Sequence, residues 1–515
     1  MKKIIALVLA LVMMFALCAC TGGGKGTSVD FSEVSTEPLT ENDTIRLVLT
    51  SAPSWPYDED WKVWQYIREN IPAKIDVTAI PEVDVATKLP LIFADQASIP
   101  DLLHKYGAMT SYVRSGAIIP FEDVQELMPN ATAYYESLSD ADYENYVTLN
   151  RNSDGKLYWF VHTGREPSRD VQTWIYRKDI FDKHNLKVPT TYDELYEVCK
   201  ELKKLYPDSY PYSMREGMSR FTSIGNQFKK DFRPGVYLDT ETNEWHYGYT
   251  EDTMREMLEF HIKMIDEGLL MPNFTNIATN AWQELVATDR GFIMPEYQTR
   301  VDFFNSLGRM DNPDYHMAAM VPPVASEEGV PMMKKTNVER YGFSICNTRD
   351  PQRIANAAKY LDWFYTDEAT ELVSWGKEGE TYEVVDGKKQ YIRDEANTQI
   401  QTLYGFDSNG SFLRMDTEAL LLSESEEIAE TREEVLAHIA PSNPADRLAF
   451  TKEEAEVMSD MTISSTAYCE EMIAKFLTKQ EPLSKWDEFT STFKSLLDLE
   501  TYFGYYQAAY DRIYG

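Results

Sequence analysis

Seven histidines, five cysteines and 84 acidic side chains are the groups in this 515-residue chain with the chemistry to hold a metal, attack a bond or move a proton. The histidines, at 104, 162, 184, 246, 261, 316 and 438, include no H-x-x-x-H pair, and Cys18, Cys20, Cys199, Cys346 and Cys469 include no C-x-x-C. No motif therefore supports a zinc site. A G-x-S-x-G nucleophile elbow is absent. Glycoside hydrolysis needs two carboxylates about 5 to 9.5 Å apart, and among 84 acids a pair can always be nominated, so that signal carries nothing. What stands out is recognition chemistry: 10 Trp and 32 Tyr. A sugar offers apolar C–H faces for stacking and a rim of hydroxyls for planar hydrogen-bonding groups. Open α/β sheets bind ligands at the carboxyl ends of their strands, which selects Trp55, Tyr106, Arg165, Trp282, Tyr297, Arg340 and Trp375 as candidate ligand-binding residues. Arg169 lies near Arg165, and Glu296 and Asp302 flank Tyr297 as acceptors for hydroxyls. The competing role for each ring is core packing, and for each charge a solvated ion pair.

The elements that must position these residues alternate strand and helix. Thr44–Thr50 is a short apolar run rich in β-branched residues, Trp61, Trp64, Ile67 and Ile71 recur at helical spacing, and Lys74–Ile80 reads as a second strand. A helix over about 84–93 and a strand at Leu102-Leu103 continue a wound α/β lobe. Further strands are expected at 155–161 after an Asp-Gly turn, at 173–177, 291–294 and 341–346. Thr191-Tyr192-Asp193-Glu194 is a capping box opening a helix through Leu205, and helices are expected over 252–268, 352–365 and most of 418–510. No repeat of solenoid period is present.

The length exceeds what one hydrophobic core supports, so two or more lobes are expected. The formal charge of -34 repels phosphate backbones, which argues against a nucleic-acid partner. Met1-Lys2-Lys3 followed by an apolar run to Leu17 is a secretion signal, too short for a comfortable membrane span. The Leu17-Cys18-Ala19-Cys20 segment resembles the bacterial lipobox, in which Cys20 would receive a diacylglycerol and become the first residue of the mature chain. Residues 1–19 would then be a signal peptide and 20–43 a flexible tether, with acyl chains such as palmitate holding the protein at the membrane. The remaining cysteines are odd in number and widely spaced, so no disulfide framework is legible.

Tyr176-Arg177-Lys178-Asp179-Ile180-Phe181, Pro189-Thr190-Thr191-Tyr192-Asp193-Glu194-Leu195, Gly155-Lys156-Leu157-Tyr158 and the lipobox resemble extracellular solute-binding lipoproteins of ABC importers. Gly376-Lys377-Glu378-Gly379-Glu380-Thr381-Tyr382 and the terminal Ala508-Ala509-Tyr510-Asp511-Arg512 are similar to the large LplA-type subgroup of Gram-positive bacteria. The resemblance runs the length of the chain and implies a type II, two-lobed periplasmic-binding-protein-like α/β fold with discontinuous lobes, a hinge and a helix-rich C-terminal part. Carried over, lobe one is 44–160 with 323–374, and lobe two is 161–322 with 375–515. The implied function is capture of a carbohydrate, most simply an oligosaccharide, between the lobes and its delivery to ABC permease transmembrane subunits. The chain would act as a lipid-anchored monomer without catalysis or cofactor. The alternatives are the same receptor for a peptide or other polar nutrient, and a secreted glycoside hydrolase. Several relatives carry a calcium loop where this chain has Tyr206-Pro207-Asp208-Ser209-Tyr210-Pro211-Tyr212, with one carboxylate where several oxygens are needed, so no calcium is expected there.

Overall fold

The computed structural model describes residues 29–106, 109–152, 154–165, 171–334, 341–395, 397–448 and 450–514. Its strands are β1 (Thr44–Ser51), β2 (Lys74–Pro81), β3 (Leu102–Tyr106), β4 (Ile118–Ile119), β5 (Phe160–Val161), β6 (Gln172–Arg177), β7 (Val236–Asp239), β8 (Glu244–Tyr247), β9 (Ile293–Tyr297), β10 (Met317–Met320), β11 (Tyr341–Cys346), β12 (Tyr382–Val385) and β13 (Lys388–Tyr391). In the first sheet the order is β2-β1-β3-β11-β4, with β5 also on β11. Strands β2, β1 and β3 run parallel, as strand–helix–strand units require, whereas β11 is antiparallel to β3, β4 and β5. The second sheet is β10-β6-β9, antiparallel throughout.

Each sheet has its own core. Ile45, Leu47 and Leu49 from β1 pack with Trp64, Ile67, Phe160 and Phe343 in the first. Trp174, Leu195, Tyr212, Met257 and Phe292 pack with Phe476 and Phe489 in the second. Sequence periodicity located most elements to within a residue or two. The helix expected over 252–268 is Asp252–Asp266, and Thr191 caps Tyr192–Leu205 by accepting the Glu194 N–H at 3.1 Å. The exception is 155–161, where ladder pairing is confined to Phe160–Val161 plus a bridge at Leu157.

Core membership corrects the expected division of the chain in two places. Ile400, Tyr404, Phe406, Phe412, Leu413 and Leu420 belong to the first core, although the chain beyond 375 was assigned to lobe two. Met333 belongs to the second core, and Val324 bridges Thr191 there, although 323 onward was assigned to lobe one. The first lobe's return begins at β11, and the chain crosses for good between Leu420 and Ile428. Residues 29–43 also depart from a flexible tether. Val29, Phe31 and Leu39 pack on the first core, the Ser35 N–H donates to Gln352 Oε1 at 2.8 Å, and the Lys359 ammonium donates to the Ser35 and Glu37 carbonyls at 2.5 and 2.6 Å. Cys199, Cys346 and Cys469 are buried, unpaired thiols whose ionisation burial pushes far up, as packing residues require.

Candidate functional site

The loop that follows β1 carries Ser54 and Trp55 to the edge of the first lobe. The end of β9 carries Tyr297, and the helix Arg300–Gly308 begins three residues later in the second lobe. These two strand ends face each other across a cavity of about 170 Å³. The space suits about one sugar ring in this arrangement, below the roughly 300 to 1,000 Å³ of drug-sized sites.

The first-lobe wall is aromatic and polar. His162, next after β5, packs on Phe412 with ring centroids 4.0 Å apart and lies nearly parallel to Tyr341 at 6.5 Å. Behind it, His104 Nε2 and His162 Nε2 are 2.9 Å apart, so one ring donates and the other accepts. Burial, followed by the positive charge of Arg165, pulls the His104 imidazole down to about 3, which keeps that ring neutral. Arg165 Nε lies 3.2 Å from Asp407 Oδ1, a nearly buried pair.

The second-lobe wall is a guanidinium cluster. Arg215 grips the fully buried Glu296 with two bonds of 2.5 and 2.9 Å, and Arg220 adds a third at 3.0 Å. Burial alone would raise the Glu296 carboxyl; the Arg215, Arg220 and Arg300 charges outweigh it and hold the group well below the usual range. Glu216 pairs with Arg215 and with Arg220, and it sits in a left-handed backbone conformation at φ 60° that aims it into the cavity's edge. Arg220 lies 4.7 Å over the Tyr297 ring and Arg215 lies 5.2 Å over Trp282.

The lobes touch at the mouth of the cavity. The Ser54 hydroxyl accepts from Gln283 Nε2 and from Arg300 Nη1, both at 2.7 Å. Trp55 meets Phe303 edge to face at 5.7 Å, and the Arg300 guanidinium lies 5.1 Å over the Trp55 ring.

Of the residues selected from sequence, Trp55, Arg165 and Tyr297 line the cavity. Trp282 and Trp375 do not, and their placement is a correction. Trp282 is 0% exposed among Phe304, Met294 and Val286 behind Arg215. Trp375 is 1% exposed, stacked on Tyr391 at 5.0 Å, with its indole N–H donating to Asp416. Glu296 is consumed by two arginines. Asp302 is 9% exposed, and its Oδ2 accepts the Ser425 N–H at 3.1 Å, so it is not presented to a ligand. Tyr106 ends β3 opposite Tyr341 in the register. Arg340, Arg169, Cys20 and the signal segment lie outside the described residues. Sequence reading missed Ser54, Arg215, Glu216, Arg300, Asp407 and Phe412. Ser54 and Arg300 were within reach of the strand-end rule that found Trp55 and Tyr297; the others depend on tertiary placement that no local pattern announces. Asp208 is exposed in a turn, and among the described residues no group of three or more His, Cys, Asp or Glu is placed to hold a metal ion. Among the same residues no helix is long and apolar enough to cross a membrane.

Two α/β lobes, each with its own sheet, joined by crossing segments and enclosing a polar, aromatic cavity, define a ligand-binding receptor of the two-lobed class. The model for the bacterial extracellular solute-binding proteins matches residues 65–379, and the chain belongs to that family. It is 23% identical over 401 residues to lipoprotein LipO of Bacillus subtilis (strain 168), spanning 75% of this chain and 74% of that protein. It is 22% identical over 500 residues to the polygalacturonan/rhamnogalacturonan-binding protein YtcQ of the same organism, spanning 93% and 95%. The crystal structure of the alginate-binding protein AlgQ2 without calcium ion superimposes with a TM-score of 0.72, at 18% identity, over 92% of this chain and 100% of that one.

Proposed function

We propose that this protein captures a carbohydrate between its lobes and delivers it unchanged to the transmembrane subunits of an ABC permease, as a monomer held at the extracellular face of the membrane by lipid on Cys20. The observation that carries the reading is the interlobe cavity, where the rings of Trp55, Tyr297, Tyr341 and Phe412 alternate with guanidinium, carboxylate and amide groups. That alternation matches the C–H faces and hydroxyl rim of a sugar. The sugar polymers named for YtcQ and AlgQ2 support the same ligand class, and the lipoprotein LipO supports the anchor. Hydrolysis finds no support in the cavity's acids: Asp407 is tied to Arg165, Glu216 to Arg215 and Arg220, and Glu82 stands exposed at the rim.

Calorimetry against oligosaccharides and against peptides, with chromatography of the recovered ligand, tests the reading. An oligosaccharide binds and is recovered intact, and Trp55→Ala weakens it by about 1 to 3 kcal/mol while the protein stays folded. Shortened products, or heat from peptides alone, overturn it.

A further inference from the structure

Every carboxylate at the second-lobe wall is already claimed. Glu296 holds Arg215 and Arg220, and Glu216 pairs with the same two. Across the cavity Asp407 pairs with Arg165. Glu82 is exposed at the rim. Asp302, two residues beyond Arg300, has its Oδ2 on the Ser425 N–H. Arg300 is left over. It is 6% exposed, yet among the described residues no carboxylate lies within ion-pair distance of its guanidinium. Its neighbours are the Ser54 hydroxyl at 2.7 Å and the faces of Trp55 and Phe303, each 5.1 Å away. One Nη1 hydrogen goes to Ser54; the rest of the five-donor fork has no acceptor among the described residues, and the residue lines the cavity.

Two further facts set the charge balance. Arg300 is the first residue of a nine-residue helix, where the backbone N–H groups already present positive charge and a cation is disfavoured. Burial, with repulsion from Arg215 and Arg220 that Glu296 and Glu216 only partly offset, pulls Arg300 down to about 10, still charged at neutral pH. Three guanidiniums face two carboxylates, and the surplus positive charge sits beside the cavity. A buried, unmatched guanidinium is expensive unless an anion completes it. A neutral sugar offers hydroxyls but no charge.

We propose that the captured carbohydrate is acidic, a uronic-acid oligosaccharide, and that Arg300 binds its carboxylate through the open side of the fork. This rests on the carbohydrate reading above and narrows it. Because Arg300 already donates to Ser54 of the opposite lobe, a carboxylate seated there completes a contact at the seam, and binding favours the closed arrangement.

The test is titration calorimetry of the purified protein with trigalacturonate and with mannuronate and guluronate trimers. Each is compared with its methyl ester and with a neutral trisaccharide, cellotriose. At least one acidic trimer binds roughly tenfold or more tighter than its own ester, a comparison that needs no variant. Arg300→Gln abolishes that preference, acid and ester then binding alike, and Arg300→Lys restores part of it. If cellotriose or the esters bind as tightly as the acids, or Arg300→Gln weakens all of them alike, the acidic ligand is refuted and the sugar receptor stands. If peptides bind and no sugar does, the sugar reading itself falls, and this proposal with it.

Discussion

Asp302 shows how a single buried side chain reports on its surroundings. Burial pushes its carboxyl up to about 6, against the hydrogen bonding from Ser425. The folded value lies above the unfolded one, so the folded state holds the proton more tightly. The cost of the buried carboxylate is therefore absent below about pH 4, grows as pH rises through 6, and is constant above. Asp302→Asn keeps an acceptor for Ser425 and removes the charge. Urea denaturation is expected to show the variant more stable than the parent at pH 7.5, by on the order of 1 to 3 kcal/mol, and little different at pH 4. A difference that is the same at both pH values would show that burial of the charge is not the cause. Glu296, by contrast, is held ionised by its arginines, which is why two acids six residues apart in sequence take opposite roles.

At the scale of elements, the joint where the chain leaves β5 depends on close backbone approach. The chain leaving β5 pairs with the returning segment: the Thr163 N–H donates to the Leu413 carbonyl at 2.8 Å and the Met415 N–H to the Thr163 carbonyl at 3.0 Å. Gly164 sits at this joint with φ +78°, and a Cβ there would lie 1.9 Å from the Met415 oxygen. Nothing but glycine fits both the conformation and the space. Gly164→Ala is expected to cost about 1 to 3 kcal/mol in denaturant titration and to weaken ligand binding, because the pairing beside the cavity residues Arg165 and Phe412 must part. An alanine variant as stable as the parent would refute the role given to this joint. Gly342 in β11 is constrained by space alone, its Cβ position 2.1 Å from the Phe160 oxygen.

At the scale of the whole molecule, what counts is the balance between lobes apart and lobes together. Ser54 is the polar tie across the mouth, accepting from both Gln283 and Arg300. Ser54→Ala removes both bonds without touching either core. The ligand-free variant is expected to populate open arrangements more, read as a larger radius of gyration in small-angle X-ray scattering, and to bind ligand more weakly because closure then costs more. An unchanged radius would place the restraint on the lobes elsewhere.

Local pattern was enough for the elements themselves. The β-branched run of β1, the cap at Thr191 and the strand at Tyr341–Cys346 follow from side chains and backbone within a few residues of each other, and a two-lobed receptor followed from motifs spread along the chain. Which rings meet a ligand was decided elsewhere. Trp55 and Trp282 are alike in sequence terms, but one ends a loop at the lobe seam and the other is sealed behind Arg215. The bond from Arg300 to Ser54 joins residues 246 apart, and the return of 400–420 to the first core brings Asp407 against Arg165. Periodicity encodes which face of an element is apolar; it holds no information on which distant element that face will meet, and the charge left over at Arg300 exists only once all of those partners are in place.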